Sequence, residues 1–506
     1  MQLFFTAGFI LLIVIWGVLA PDTMAAQFDM LLAAITRNFG WLYLWLVLGL
    51  VLFALFLAFS RYGDLKLGGE DETPEFSTKS WFSMLFAAGM GIGLVFWGVA
   101  EPISHFNVAP PPGIRPGTPE AANAAMRHAL FHWGVHPWAV YSIVALAIAF
   151  FLYRRDGRSL ISTVTDALPW RWPKRLGGLF NALAVIATAF GVAASLGMGA
   201  LQINSGLASV FGVPNTETAQ VIIIVVATAL FVTSAVSGVD KGVRILSNAN
   251  MILAALLALA VFVLGPTVII IDTLTNTVGT YLSEFVRMSL RMTPFRDTNW
   301  VGGWTIFYWA WWVSWSPFVG LFIARVSRGR TIREFIIGTV AAPSLAAFLW
   351  FSIFGGTALY MEVWQHVPLS EAVKADVSTA LFQMFQALPG GAAMSVVATV
   401  LVLVFFVTSG DSAVLVLSMM STSGNPHPPA RVKVTWGVLV AGIALSLLLA
   451  GGLKAVQTAT IVFALPFTVV IMLMAWSLWR GIVHDWDEEQ RRERELRRKL
   501  RQMAGQ

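Results

Sequence analysis

The sequence predicts an all-α polytopic membrane protein of about twelve transmembrane helices. Three observations carry that prediction. Of 506 residues, 57% are hydrophobic and 12% charged, and the mean hydropathy is +0.74. Apolar runs of roughly twenty residues, long enough to cross a hydrocarbon core as a helix, recur along the chain. Lysine and arginine gather in alternate connecting segments, as cytoplasmic loops do.

Taken in order, the apolar segments lie near 3–20, 41–60, 80–104, 133–153, 178–208, 219–237, 246–271, 301–324, 334–361, 390–420, 434–450 and 456–479. The first has no basic residues before it, so it is expected to be a membrane helix and not a cleaved signal, despite the small-residue ending Val18-Leu19-Ala20. With that end inside, the basic clusters at 61–79, 154–175, 241–244, 325–333 and 431–433 all fall on the cytoplasmic side, and both termini are expected there. Segment 272–292 alternates apolar and polar groups at helical spacing. It reads as an interfacial amphipathic helix with a face for a subunit contact. Pro110-Pro111-Pro112-Gly113 is a loop. The end of the chain, 485–506, is a basic tail with Glu488/Arg492, Glu493/Arg497 and Glu495/Lys499 at i,i+4. It should form a solvated helix, with contact to anionic lipid as the functional alternative. The net charge of +6 reflects these loops and the tail, and gives no reason to expect nucleic-acid binding. There are no cysteines, which excludes disulfides, thiolate metal sites and a Cys nucleophile.

The stretch Trp304 to Phe318 holds seven aromatic residues before Phe318: Trp304, Phe307, Tyr308, Trp309, Trp311, Trp312 and Trp315. On a helix, Tyr308 shares a flank with Trp311 and Trp312, and both of these meet Trp315. Trp304 and Trp309 fit an interfacial belt. Trp311, Trp312 and Trp315 fall near mid-membrane, where rings serve either packing or a cage. Cages of Trp and Tyr faces bind quaternary ammonium.

Three interruptions stand out inside spans. Gly89-Met90-Gly91-Ile92-Gly93 either packs a neighbouring helix closely through Gly89 and Gly93, or unwinds so that backbone groups line a cavity. Freed N–H groups there would take a carboxylate, and carbonyls an alkali cation. Trp133-Gly134-Val135-His136-Pro137-Trp138, with Tyr141 on the same face as Trp138, is either a belt or a cage wall. Thr408-Ser409-Gly410-Asp411-Ser412 either bonds its hydroxyls back along the helix or offers hard oxygen ligands to sodium. Glu101 and Asp411 are functional candidates as intramembrane carboxylates, or structural charges paired with Arg or a helix N-terminus. His128, His132 and His136 are spaced i,i+4,i+8 and read as interfacial or loop residues, since no carboxylate or histidine partner set stands out beside them.

These residues resemble the betaine/choline/carnitine transporter family over nearly the whole chain. The resemblance rests on Gly89-Met90-Gly91-Ile92-Gly93, on Trp133, Trp138 and Tyr141, and on Trp309 to Phe318 followed by Arg325-Val326-Ser327-Arg328-Gly329-Arg330. It implies a leucine-transporter-like core of two inverted five-helix repeats, at 80–271 and 301–479, after two leading helices within 1–60. It also implies a homotrimer, with a contact near 272–292, and a midplane site between the repeats. The ammonium cage would be Trp133, Trp138, Tyr141 and Trp312. Trp311 and Trp315, with Phe318 and Phe322, would line the inward path. The substrate carboxylate would meet the backbone of Gly89, Met90, Gly91 and Gly93. One sodium would be held by Ala87, Met90, Phe405, Thr408 and Ser409. A second would use Thr188 and the residue four further on, which is Val192 and has no side-chain oxygen. Sodium-independent carnitine exchangers of the family carry an Arg in the fifth span, and none occurs between Gly177 and Ser209. Choline members carry an Asp where this chain has Gly93, so its absence suits a zwitterion.

The expected function is sodium-coupled import of glycine betaine or a related zwitterionic osmolyte by alternating access. Alternatives are another compatible solute, such as ectoine, a dimethylsulfonium zwitterion or choline, or a passive channel or osmosensor. Sodium is the coupling ion and no other cofactor is expected. An enzyme is not expected, because no nucleophile–base pair or metal cluster stands out.

Overall fold

The computed structural model describes residues 2–89, 91–155, 157–158, 160–165, 168–169, 175–238, 240–295 and 299–503. Its regular secondary structure among the described residues is all helix, apart from one isolated bridge between Lys66 and Thr331.

Two helices lead, α1 (Gln2–Leu19) and α2 (Pro21–Phe59). Pro21, which cannot donate to a preceding turn, separates them at Ala20. The first broken span follows as α3 (Thr78–Gly89) and α4 (Ile92–Ile103), with Gly91 extended between them at φ −160° and ψ −175°. Next come α5 (Pro119–Trp133) and α6 (Val135–Arg154), hinged at Gly134, and the short α7 (Ile161–Thr165). The long α8 (Gly177–Phe211) is followed by α9 (Glu217–Ser237), α10 (Asp240–Leu264) and α11 (Thr267–Ser289). A π-turn over Gly302–Ile306 feeds α12 (Phe307–Arg325), and a capping box at Thr331 and Glu334 starts α13 (Ile332–Trp364). The short α14 (Leu369–Ala375) and α15 (Ala380–Gln386) precede α16 (Gly391–Ser421). Last is α17 (Ala430–Met503), broken at Gly451 and Gly452, whose positive φ values of 157° and 60° only glycine adopts easily.

Nine helices among the described residues are long and apolar enough to cross a membrane. α1, the broken α3–α4 pair and the second half of α17 supply three more apolar segments, so each of the expected spans has its helix. Two expectations change. The helix over 119–133 was not read from the sequence. The amphipathic helix starts at Thr267, five residues early, because the break falls at Gly265-Pro266.

α4, α6, α8, α12, α13 and α16 pack together and carry the site. Small residues set their spacing. A Cβ at Gly98 would lie 2.7 Å from Trp350 Nε1, and one at Gly355 would lie 2.6 Å from Pro102 Cγ and 3.3 Å from the Gly98 carbonyl oxygen, so α4 and α13 approach closely there. Gly199 on α8 sits equally close to Ile92 and Phe406, which draws α4 and α16 in beside the helix break.

The tail is not a separate element: α17 continues through it to Met503, mostly exposed beyond residue 490. Its root is tied down. Arg154 Nε donates to Asp485 (2.9 Å) and its Nη2 to Glu489 (2.6 Å), while Arg155 also pairs with Asp485. These groups line a cleft of about 840 Å³ with the loop at Gly68–Glu70. Arg154→Ala should therefore release the tail. We expect trypsin to cut beyond Arg480 several-fold faster, with transport-domain melting shifted little; an unchanged cleavage rate would mean that these ion pairs do not hold it.

A carboxylate-pinned aromatic cage at two helix breaks

The interruptions converge. The α3–α4 break, the α5–α6 hinge and the start of α12 bring Gly93, Trp133 and Trp311 into one contact: a Cβ on Gly93 would lie 2.6 Å from Trp311 Cη2 and 2.9 Å from Trp133 Cη2. A Cβ at Gly91 would meet nothing within 4 Å, so there is room beside the extended backbone.

Four rings join in sequence. Trp138 meets Tyr141 at 5.4 Å between centroids, Tyr141 meets Trp312 at 6.1 Å, and Trp312 meets Trp133 at 4.9 Å. The interplanar angles are 75°, 79° and 75°. Successive edge-to-face contacts turn the ring faces in different directions, as a box for a cation requires. All four are buried, so they are not an interfacial belt. Trp312 is backed by Trp311, stacked at 4.9 Å and 13°, and its Nε1–H donates to the His132 carbonyl at 2.9 Å.

Burial falls along one face of α12 from the cage outward. Trp315 and Phe318 are half-buried and in contact at 5.3 Å, and Phe322 is 37% exposed. Trp315 Nε1–H is held by the Gly191 carbonyl at 2.8 Å. The expected path residues thus run in order toward the Arg325 end of α12.

The opposite end is closed by a polar layer. Glu101 on α4 is fully buried. Its Oε2 accepts from Trp133 Nε1 (2.8 Å) and from the Tyr308 hydroxyl (2.6 Å). Its Oε1 meets His132 Nδ1 at 2.6 Å and His105 Nε2 at 3.3 Å. His132 Nε2 in turn meets Thr305 Oγ1 at 3.0 Å. The partners of Glu101 are therefore neither Arg nor a helix N-terminus. The interfacial reading of the histidines is corrected: His128, His132 and His136 are buried, and His136 stacks on Trp309 at 5.4 Å and 12°. Trp309 is fully buried too, and is not a belt residue; Trp304 is half-buried against His105 at 4.3 Å. The spacing of Glu101/His105 and of the three histidines was visible in the sequence, but a carboxylate facing them from α4 was not.

Ligand atoms of Glu101, His105 and His132 lie within 4.8 Å of one another, a set that could hold a metal ion. The 2.6 Å approach of His132 to Glu101 is, however, shorter than the roughly 3.3 Å that separates two ligands each about 2.0 Å from a tetrahedral ion. The distances fit shared protons better.

The expected sodium ligands are located in part. Met90 lies outside the described residues, and Ala87 and Gly89 fall in the last turn of α3. Across the break, Phe405 is buried and Thr408 and Ser409 are half-buried on α16. Thr408 Oγ1 donates to the Val404 carbonyl at 2.9 Å, the back-bonding arrangement, which leaves its lone pairs available. Thr188 is fully buried, and its hydroxyl has no partner among the described residues; Val192, one turn on, is buried and apolar.

A polytopic bundle with helices broken around a buried cluster of ring faces is the architecture of a membrane transporter. The chain belongs to BCCT, the betaine/carnitine/choline family of transporters, whose sequence model matches residues 2–487. It is 48% identical over 472 residues to the glycine betaine transporter OpuD of Bacillus subtilis (strain 168), covering 93% of this chain and 91% of that one. It is 44% identical to an ectoine/hydroxyectoine transporter of Virgibacillus pantothenticus, covering 94% and 95%. With a glycine betaine transporter of Acinetobacter baylyi it shares 43% identity, covering 92% of this chain and 70% of that one. The protein is thus a solute transporter of the membrane and not an enzyme.

Proposed function

We propose that the protein imports glycine betaine, coupled to sodium, by alternating access, with both termini in the cytoplasm. The observation that carries the substrate is the ring box of Trp133, Trp138, Tyr141 and Trp312, set beside the open backbone at Gly91. A trimethylammonium group fits ring faces, each contact contributing about 0.5–2 kcal/mol, and its carboxylate fits backbone N–H groups. Relatives at 48% and 43% identity carry the name glycine betaine transporter, which supports the same reading.

Coupling would come from one sodium bridging the end of α3 to Phe405, Thr408 and Ser409. An ion there favours the arrangement in which the broken segment is ordered, so ion and solute bind better together. Entry of one charge down an inside-negative potential supplies about 2.3 kcal/mol per 100 mV. Ectoine is the second reading, favoured by the 44% identical relative that bears its name. A homotrimer and contact of the basic tail with anionic lipid complete the reading.

The test is uptake of labelled glycine betaine into proteoliposomes with an inward sodium gradient, or with potassium in its place. We expect sodium-driven accumulation that excess choline does not block, and loss of the sodium dependence in Thr408→Ala. Equilibration without sodium would make the protein a uniporter or exchanger. A sodium dependence unchanged in Thr408→Ala would remove that residue from the ion site.

A further inference from the structure

We propose that Glu101 is the positioning residue of the ammonium cage. It fixes Trp133 directly, and Trp312 through Tyr308 and His132. This inference rests on the cage reading above.

A carboxylate taken out of water inside a bilayer must be matched by donors, and is rarely present without a task. Here the match is specific: each oxygen meets two groups that can donate, from α5, from α12 and, through His105, from the π-turn Ser104–Val108 that follows α4. Trp133, on α5, is itself a cage wall. Tyr308 stacks on Trp312 at 5.9 Å and 19°, and so sets the plane of the second wall. His132 stacks on Tyr308 at 4.7 Å, and its carbonyl takes the Trp312 indole N–H. Both walls are thus referred to one carboxylate on the segment that follows the helix break. An indole whose N–H donates to an anion also has a more electron-rich face, which strengthens its hold on a cation.

The route through Trp133 separates this role from simple structural support. Trp133→Phe keeps a smaller ring face and removes the N–H. Glu101→Ala removes the acceptor, and Glu101→Gln keeps one oxygen that can turn toward Trp133 while the amide faces His132. In purified full-length protein we expect Glu101→Ala and Trp133→Phe each to raise the KM for glycine betaine about tenfold or more, the loss of a hydrogen bond to a charged group, at similar maximal rates. The double variant should be no worse than the more severe single one. Glu101→Gln should fall between wild type and Glu101→Ala. The indole hydrogen-bond band in ultraviolet resonance Raman spectra, assigned to Trp133 by difference against Trp133→Phe, should shift toward weaker bonding in Glu101→Ala. Additive effects in the double variant, a wild-type KM in Trp133→Phe, or an unmoved band would each overturn the proposal. If Glu101→Ala fails to assemble, Glu101→Gln and Trp133→Phe decide by the same criteria. The Raman shift is independent of the solute, so its presence without betaine uptake would retire the betaine reading and keep the positioning role.

Discussion

Replacing Trp312 by leucine is expected to raise the KM for glycine betaine by about thirtyfold or more, whereas Trp304→Leu should change it by no more than about threefold. Both residues lie on the same aromatic stretch and both sit among other rings, so bulk and hydrophobicity do not distinguish them. Position does. Trp312 presents its face between Tyr141 and Trp133 and is fixed by its indole bond to the His132 carbonyl. Leucine there removes a cation–π face worth about 0.5–2 kcal/mol and also the ring against which Trp133 and Tyr141 pack. Trp304 leans on Trp97 at 5.5 Å and on His105, outside the box. Trp312→Phe should be intermediate, since it retains a face and loses the N–H. The check is concentration-dependent uptake normalised to protein in the membrane. Equal KM values for the two leucine variants would demote Trp312 to packing.

What could be read from the residues beforehand follows from the range of the forces. Spans were legible because lipid imposes length and hydropathy locally, and each expected segment has its helix. The helix at 119–133 was not, because Asn123, Arg127, His128 and His132 lower its hydropathy; much of it is buried by protein and not by lipid. The break near Gly91 was legible as one of two readings, since three glycines weaken a helix wherever they sit. The structure selects the unwound form. That Trp133 and Trp312 would meet came only through the family resemblance, because no periodicity links positions so far apart in sequence. The partnership of Glu101 with His132, Trp133 and Tyr308 was missed for the same reason. Its i,i+4 spacing to His105 was a signal that went unread, and the other helices that complete the network are set by the fold.

The glycine at 93 brings the two halves of the site into one experiment. Gly93→Ala should raise the KM for glycine betaine by more than about tenfold while the protein still assembles. The added methyl would overlap Trp311 Cη2 and Trp133 Cη2, and neither ring yields cheaply. Trp133 is pinned by Glu101, and Trp311 is stacked between Phe307 at 5.6 Å and Trp312 at 4.9 Å. Displacing both rings reshapes the box while removing none of its hydrogen-bonding groups, so affinity should fall more than maximal rate. Gly98→Ala is the control, because its methyl would meet Trp350 at 2.7 Å, on the α13 side and away from the cage. That variant should lower the melting temperature and leave KM near wild type. The comparison also bears on selectivity. With glycine at 93 the tips of Trp133 and Trp311 occupy the space that a side chain would need. An aspartate introduced there must therefore move the same rings before its charge can act on a cation. Gly93→Asp alone is expected to lose betaine affinity without gaining choline uptake. Choline accumulation by that single variant would show that the rings have more freedom than their packing implies.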